Sequence, residues 1–367
     1  MSEFLHTHHF IYFVFIICFS ALITFLAIPS ILHVARARHL YDDLGHFRKQ
    51  HDHGIPRLGG VAIFISFNIT ILVYSMINKS FPISYLLISS LVLFAMGLKD
   101  DLSGVNSSTK FLIQFIVALI VVVLGDIRLS SMYGIFGVFD LPYITSVTLS
   151  ILVIMLIVNA FNLIDGIDGL AAITGIVVNA AFAALFIHIE QYELAVVSLA
   201  AVGAIIGFLK FNITPAKIFM GDSGSLIIGL ISVVLAIKFI ELNKIGDNRL
   251  LQVYSAPALT VAILIGPIFD TLRVFFLRTI KGIPPFTADR SHIHHRMLQL
   301  GLTHLQTTLI LAGLNIAAIV TVLSLNTYGN YTLVILIFAV CMLFNWVITF
   351  LIRSKERHSM ALRNLFV

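Results

Sequence analysis

Residues 10–34 read FIYFVFIICFSALITFLAIPSILHV, which is 25 consecutive positions without an acidic residue, a lysine or an arginine. Since about 20 predominantly apolar residues are enough to cross the hydrocarbon core of a bilayer, this stretch predicts a membrane-spanning helix. No small-residue cleavage site follows a short apolar core, and a basic stretch with Arg36 and Arg38 comes directly after the run. We therefore expect a retained helix and not a removed signal peptide.

Segments of the same kind recur along the chain and decide the fold class. The eleven predicted spans are residues 10–34, 58–77, 83–99, 111–125, 143–161, 169–188, 193–210, 224–241, 257–277, 306–324 and 332–352. In the whole sequence 59% of residues are apolar and 11% are charged, whereas a soluble domain carries about 25% charged residues. The sequence predicts an all-α polytopic integral membrane protein, with residues 1–367 as a single membrane-embedded domain.

The distribution of basic residues predicts the orientation. Short cytoplasmic loops retain lysine and arginine, and with the N-terminus outside, 18 of the 23 basic residues fall on the inner side. An odd number of spans then puts the C-terminus in the cytoplasm. The net charge of +5 is explained by orientation, and since no basic run with interleaved aromatic residues occurs, we predict no nucleic-acid partner.

Under this topology, a group of aspartates lies at the inner membrane surface, next to the ends of predicted spans. Its members are Asp100, Asp101, Asp165, Asp168, Asp222 and Asp289. Carboxylates that converge in a region of low dielectric repel each other and favour a bound cation. Mg²⁺ suits oxygen ligands combined with substrate phosphates, so we predict Mg²⁺, or alternatively Mn²⁺, as the cofactor.

Two of these aspartates, Asp100 and Asp101, form a pair at the end of the third span, with Lys110 after a short polar segment. The pair is compatible with an ordinary charged helix end. It also suits a site in which carboxylates hold a metal-bound phosphate or accept its proton, with the lysine as the phosphate partner.

Residues 219–225 read FMGDSGS and open a helix. Taken alone, Asp222 is compatible with a simple N-cap. Helix N-termini also attract anions, so Phe219 beside Asp222 suits a flat base and a metal-bound phosphate. The neighbouring motifs favour the functional interpretation.

Residues 159–170 read NAFNLIDGIDGL and carry a polar side chain at every third position. On a helix or near-helical turn, Asn159, Asn162, Asp165 and Asp168 share one face. The alternative is an ordinary loop with Asx turns. A stripe of such groups at a membrane boundary is costly without partners, which favours a binding site.

Residues 289–296 read DRSHIHHR. Three histidines resemble a metal site, but zinc ligands usually have a closed spacing and acidic hydrogen-bond partners, and the neighbours here are Arg290 and Arg296. We therefore expect a cationic clamp for a phosphate or sugar phosphate.

These motifs, in this order and over nearly the whole chain, resemble those of the polyprenyl-phosphate N-acetylhexosamine-1-phosphate transferases. Residues 48–51 (RKQH), 56–60 (PRLGG) and 289–295 (DRSHIHH) look like the branch that starts O-antigen, enterobacterial common antigen and teichoic acid linkage units (WecA and TagO type). The alternative is the phospho-MurNAc-pentapeptide translocase branch (MraY type), which usually has Thr-Met-Gly-Gly at the second place and three adjacent histidines at the third. Here RLGG stands at 57–60, and Ile293 interrupts the histidines.

The resemblance implies that UDP-GlcNAc or a close relative gives its sugar 1-phosphate to undecaprenyl phosphate and that UMP is released. It implies a bacterial cytoplasmic membrane protein with a cytoplasmic-face site, and a homodimer is a further expectation. The site would be built from residues 36–57, 99–110, 159–170, 211–223 and 278–305.

Matching positions divide the implied site residues into three groups. The metal ligands are Asn162 and Asp222, and the pair that positions or deprotonates the lipid phosphate is Asp100 and Asp101. The substrate-binding residues are Lys49, His51, Lys110, Asp165, Asp168, Phe219, Arg290, His292, His294 and His295. Of these, Lys110 would contact the diphosphate, and Phe219 and Asp168 would bind uracil.

A secondary transporter is the alternative from a different class, because it would also carry acids in the membrane. Transporter sites are expected near the bilayer midplane, often with internal repeats. Here only Asp270 and Arg273 lie within a span, where we expect an internal pair. The sequence favours the transferase.

Overall fold

A computed structural model describes residues 9–40, 54–78, 84–245, 253–282 and 291–365 of the chain. Within these ranges the chain is helical, and the one β-type pairing is an isolated antiparallel bridge between Ser131 and Asp140. The chain forms two compact units, which divide between Val253 and Tyr254.

In its described residues, the first unit contains eight α-helices. They are α1 (His9–Ala37), α2 (Gly59–Ile77), α3 (Ser84–Ser103), α4 (Ser107–Leu119, continued by a π-helical turn over Ile120–Leu124), α5 (Tyr143–Ile164), α6 (Leu170–His188), α7 (Tyr192–Asn212) and α8 (Asp222–Ile245).

Helix α8 lies at the centre of the first unit. It packs against α2, α3, α5, α6 and α7. Of its apolar span Asp222–Lys244, 78% is buried, against 28% for the span Phe10–Ala37. A helix that is apolar on all sides is suited to such an enclosed position. Its first residue, Asp222, is therefore held at a point where several helices end.

The opposite end of α8 bonds to the segment between α4 and α5. Lys244 Nζ lies 2.7 Å from Asp140 Oδ1, and Glu241 accepts hydrogen bonds from Ser130 N at 2.8 Å and Ser130 Oγ at 2.6 Å. At a rise of 1.5 Å per residue, this end lies about 33 Å from Asp222.

Where the structure describes the second unit, it contains five α-helices, and two of them form a bent pair. They are α9 (Ala256–Ile263), α10 (Ile265–Ile280), α11 (Ile293–Gln299), α12 (His304–Ser324) and α13 (Asn330–Leu365). Helices α9 and α10 meet at 76°. Asn315 of α12 donates hydrogen bonds to Ala262 O and Ile263 O at this bend, which satisfies carbonyls that a break would leave unpaired.

Each of the eleven predicted spans falls largely on helix, which confirms the all-α polytopic class. By length and composition, nine helices in the described part are apolar enough to cross a membrane, or ten if the bent pair is one span. Helix α3 is outside this number; it ends at Ser103 and carries Lys99, Asp100 and Asp101 close to that end. The count of eleven, the orientation and the single domain stay predictions.

The connections at the predicted site are shorter than the sequence indicated. Residues 104–106 alone separate α3 from α4, residues 165–169 separate α5 from α6, and residues 213–221 separate α7 from α8. The interpretation that residues 159, 162, 165 and 168 share one helical face was wrong. Helix α5 ends at Ile164, because residues 165–169 (DGIDG) form a turn that ends at Gly169 with φ +77°.

Candidate active site

A lysine ammonium joins two aspartates from different helices. Lys110 of α4 lies 2.6 Å from Asp100 Oδ2 of α3 and 2.9 Å from Asp222 Oδ2 of α8. All three side chains keep some exposure, between 15% and 26%. The structure therefore brings Asp222 to Asp100 and Lys110, which precede it by more than 100 positions in the sequence, and it leaves all three side chains partly exposed.

The second aspartate of the pair has a different environment. Asp101 Oδ1 accepts from Asp222 N at 2.8 Å, and Asp101 Oδ2 accepts from Ser223 N at 3.0 Å. These are the free N–H groups of the first turn of α8, where a carboxylate is favoured by the helix dipole. Burial raises the pKa of Asp101, which lies beyond the predicted span, to about 6. Asp101 thus holds Asp222 in place.

Gly221 makes this close approach feasible. A Cβ on Gly221 would lie 2.4 Å from Arg57 O and 2.6 Å from Asp101 Oδ2, and its φ is +73°. Only glycine adopts such a conformation at little cost. The glycine before Asp222 is therefore required by the geometry of the site.

Two residues of the motif in residues 159–170, at the end of α5, also bond to the start of α8 or to the residue before it. Asn162 Nδ2 donates to Asp222 Oδ1 at 2.7 Å and to Ser225 Oγ at 3.1 Å. Asp165 accepts from the backbone N–H of Gly221, and loss of hydration, with Asp222 and Asp101 nearby, raises its pKa well above the usual value. Four carboxylates thus gather here with Lys110 as the cation that bonds to two of them.

The segment with PRLGG is paired with the segment that contains Phe219. Pro56 O accepts from Phe219 N at 2.9 Å, and Gly59 N donates to Phe219 O at 2.9 Å. Gly60 N then donates to Met220 O at 2.8 Å. Two motifs that lie 160 residues apart in the sequence are therefore hydrogen-bonded to each other. Phe219, in the second of them, is half-buried.

Asp168 lies in the turn after α5 and bonds to the segment before α8. Its Oδ2 accepts from Ala216 N at 3.3 Å. Beside it, Asn212 accepts from Gly169 N at 3.0 Å and donates to Ile218 O at 2.9 Å. Sequence reasoning missed Asn212, although a polar residue at the very end of an apolar span was a usable signal.

A second missed feature is a pair of amides between α4 and α5. Asn159 Nδ2 donates to Gln114 Oε1 at 2.6 Å, and Gln114 Nε2 donates to Asn159 Oδ1 at 3.2 Å. Gln114 is one helical turn from Lys110, and Asn159 is one turn from Asn162. The pair therefore joins α4 and α5, the two helices that carry Lys110 and Asn162, both partners of Asp222. Asn159 faces α4, whereas Asn162 faces α8.

In the second unit, Asp270 and Arg273 form the expected internal pair, with Arg273 Nη2 2.7 Å from Asp270 Oδ1. Asp270 Oδ2 is 2.9 Å from His292 Nδ1, and its Oδ1 accepts from Ile293 N at 3.0 Å. Arg273 Nη2 also donates to Ser291 O at 2.6 Å. We call Asp270 and Arg273 the Asp–Arg clamp, because they fix residues 291–293.

The other members of the histidine motif differ in exposure. His294 is 1% exposed, and burial with His295 nearby lowers its pKa to about 3, so its ring is neutral. His295 is half-buried beside it, with ring centroids 4.3 Å apart. Arg296 donates to Asn345 Oδ1 at 2.5 Å and to Thr349 Oγ1 at 2.7 Å. The expected use of Arg296 as part of a phosphate clamp was wrong, because these bonds attach α11 to α13.

Three predicted substrate-binding residues, Lys49, His51 and Arg290, lie outside the described residues. The remaining predicted site residues fall into two groups. Those in the first unit are Asp100, Asp101, Lys110, Asn162, Asp165, Asp168, Phe219 and Asp222, and those in the second are His292, His294 and His295. Their individual roles stay predictions.

The first group has the donor chemistry of a magnesium site. Asp222 and Asn162 offer a carboxylate and an amide oxygen, since a half-turn of the Asn162 amide directs Oδ1 to the side where Nδ2 now stands. Within the described residues, no group of three His, Cys, Asp or Glu side chains has metal-binding geometry. Mg²⁺ commonly takes one or two protein ligands and completes its shell with water and substrate phosphates, so the residues present fit this ion.

Comparisons with known proteins point to one family. The family model described as glycosyl transferase family 4 matches residues 83–240. The chain is 33% identical over 285 residues to the decaprenyl-phosphate N-acetylglucosaminephosphotransferase of Mycolicibacterium smegmatis, covering 72% of this chain and 70% of the relative. It is 30% identical over 266 residues to the probable undecaprenyl-phosphate N-acetylglucosaminyl 1-phosphate transferase of Bacillus subtilis, covering 72% and 71%.

A third relative covers more of both chains. The undecaprenyl-phosphate alpha-N-acetylglucosaminyl 1-phosphate transferase of Pasteurella multocida is 31% identical over 336 residues, which is 88% of this chain and 91% of the relative. The fold and these matches define a polytopic membrane transferase. The chain belongs to glycosyl transferase family 4, in the branch of the polyprenyl-phosphate N-acetylglucosamine phosphotransferases. The family resemblance is thereby confirmed, and the transporter alternative is excluded.

Proposed function

We propose that this protein transfers N-acetylglucosamine 1-phosphate from UDP-GlcNAc to undecaprenyl phosphate and releases UMP, as the first membrane step in the assembly of a bacterial cell-surface polysaccharide. The observation that carries the proposal is the cluster around Asp222: Lys110 bonds to both Asp100 and Asp222, and Asn162 bonds to the other oxygen of Asp222. Joining two phosphate groups requires fixed cations and oxygen ligands at one place, and this cluster supplies both.

Asp222 and Asn162 are the residues that would hold Mg²⁺. When bound, this ion neutralises charge on the diphosphate of the donor. Asp101 keeps Asp222 at the required position through the backbone of α8. The site therefore depends on Asp101 even though its carboxylate oxygens are already bonded to peptide N–H groups.

Asp100 is the better candidate to orient or deprotonate the lipid phosphate. Its Oδ2 is bonded to the Lys110 ammonium, a flexible partner that an incoming phosphate can take over. The acceptors of Asp101 are bonded to rigid backbone groups. Lys110 then stabilises the negative charge that develops as the diphosphate bond of the donor breaks.

The donor nucleotide suits the neighbouring segment. Phe219 offers a half-buried ring for stacking on uracil, and Asp168 a carboxylate that can accept from the uracil N–H. Both are fixed by backbone hydrogen bonds, to Pro56 and Gly59 and to Ala216 respectively. Because nucleotide sugars are made in the cytosol, the site faces the cytoplasm in this proposal.

The test is transfer by the purified full-length protein in detergent. Label from sugar-labelled UDP-GlcNAc should pass into a butanol-extractable lipid only when undecaprenyl phosphate and Mg²⁺ are present. Asp222→Asn should abolish the transfer, whereas Asp140→Asn, at the far end of α8, should not. Transfer from UDP-GalNAc but not from UDP-GlcNAc would show that the proposed sugar is wrong. Absence of any lipid product would overturn the whole proposal.

A further inference from the structure

The Asp–Arg clamp determines which nitrogen of His292 carries a proton. Asp270 and His292 are both 4% exposed, and Asp270 Oδ2 lies 2.9 Å from His292 Nδ1. A carboxylate accepts hydrogen bonds and donates none, so Nδ1 is the donor. The charge of Asp270 is balanced by Arg273 at 2.7 Å, and a neutral His292 ring therefore has its lone pair on Nε2.

The other nitrogen of His292 is available for an external partner. Nε2 has no hydrogen-bond partner among the residues that the structure describes, and it is not one of the fully buried polar atoms there. Residues 291–293 are fixed on both sides by the clamp, through Ser291 O and Ile293 N. The ring is therefore held in one orientation with a free acceptor.

We propose that Asp270 is a positioning residue that acts through His292, by fixing the Nδ1–H tautomer so that Nε2 accepts a hydrogen bond from a hydroxyl or N–H group of the nucleotide-sugar donor. This inference rests on the proposed function. A phosphate oxygen has no proton to give to this lone pair, so in this tautomer His292 recognises a donor group on the sugar or base and not a phosphate. At binding and catalytic sites in general, the hydrogen bond made by one ring nitrogen of a histidine sets the protonation of the other nitrogen.

The direct test is ¹⁵N NMR of the histidine-labelled, full-length protein in detergent, above the ordinary histidine pKa. The signal of His292 is assigned by its loss in His292→Gln. We expect a protonated Nδ1 and an unprotonated Nε2. A proton on Nε2, whether alone or together with one on Nδ1, would overturn the proposal. This readout needs no enzyme activity, and it remains valid if variants of Asp270 do not fold.

Asp270→Asn, measured by the same NMR experiment, replaces the hydrogen-bond acceptor that faces His292 Nδ1 with a donor. Its amide oxygen can keep the Arg273 and Ile293 bonds, so its NH₂ group faces Nδ1, and the proton of the ring should move to Nε2. The matched control is Asn315→Ala, which removes a buried side chain of the same unit that bonds to Ala262 and Ile263. The tautomer of His292 should be unchanged in this control, and a shift there would contradict a specific role for Asp270.

Kinetics then test whether the tautomer matters to the donor. Asp270→Asn should lower kcat/KM for UDP-GlcNAc by about tenfold or more, with the KM for undecaprenyl phosphate unchanged. Because Asp270 acts through His292, the double variant with His292→Gln should be no worse than His292→Gln alone. A double variant that is much worse would show that Asp270 acts elsewhere. If the wild-type protein transfers nothing, the proposed function fails, while the NMR result still decides the tautomer.

Discussion

Asp101 Oδ1 accepts a hydrogen bond from the backbone N–H of Asp222 at 2.8 Å, so that one aspartate of the site holds another in place. Within the described residues, the adjacent Asp100 makes no bond to the backbone of α8: its Oδ2 bonds to Lys110 at 2.6 Å, and its Oδ1 accepts from Val105 N at 2.7 Å. Two neighbouring acids of identical chemistry therefore have separate tasks, because successive positions of a helix point in different directions.

This division predicts different effects of the two asparagine substitutions. Asp101→Asn puts an NH₂ group next to a peptide N–H of α8 and should lower the free energy of unfolding by about 1 to 2 kcal/mol, in addition to lowering activity. Asp100→Asn should keep the thermal midpoint of the wild type and lower kcat more than it raises the KM for UDP-GlcNAc. Thermal unfolding and steady-state kinetics on the same preparations check both, and equal midpoints for the two variants would contradict the assignment.

The proposed metal ligands predict a dependence on ion concentration. Asp222→Asn and Asn162→Ala each remove a charge or an oxygen ligand, so activity should be lost at limiting Mg²⁺ and recovered, if at all, only at high Mg²⁺. A chelator should inactivate the wild-type protein reversibly. Wild-type turnover of either variant at limiting Mg²⁺ would show that the ion is held by other groups.

The amide pair between Gln114 and Asn159 predicts energetic coupling. Either single substitution to leucine deprives the remaining amide of its two bonds to the other helix, although Asn159 keeps its bond to Met155 O, and should cost about 1 to 3 kcal/mol of stability. The double variant leaves no unpaired amide and should cost less than the sum of the two single variants. A double-mutant cycle of unfolding free energies measures this difference, and strictly additive losses would mean that the two amides do not depend on each other.

Sidedness is tested by labelling single cysteines on intact cells, in a background with Cys18→Ser and Cys341→Ser. Ser107 and Lys217 are exposed near the acid cluster, and Phe139, 66% exposed, lies in the segment bonded to the other end of α8. A membrane-impermeant maleimide should label Phe139→Cys on intact cells. Ser107→Cys and Lys217→Cys should react only after the cells are opened, and the reverse pattern would separate the site from cytosolic UDP-sugars.

The sequence predicted the helices well because each depends on a local property, the length of an apolar run. It did not predict the break between α9 and α10, since the residues next to it, 257–263 and 265–269, are predominantly apolar on both sides. The break is stabilised by Asn315 of α12, whose amide donates hydrogen bonds to the carbonyl oxygens of Ala262 and Ile263. A contact of this kind has no signature in the local sequence.

The site shows the same limit. The sequence predicted a shared site at Asp100, Asp101 and Asp222, because these acids fall at the inner ends of predicted spans, where like charges favour a bound cation. It did not predict that Asp101 bonds to the backbone of α8 or that Asp270 fixes His292. These partners depend on tertiary packing and on the exact direction of side chains, so spacing along the chain carries no information about them.

The most direct test of the account follows the phosphorus atom. UDP-GlcNAc labelled with ³²P at the β-phosphate and with ³H in the sugar is incubated with the purified protein, Mg²⁺ and undecaprenyl phosphate. Transfer of N-acetylglucosamine 1-phosphate predicts both labels in the lipid in equal molar amounts, and unlabelled UMP in the aqueous phase. Tritium in the lipid with ³²P left in UDP would contradict the account, because it would show transfer of the sugar without its phosphate.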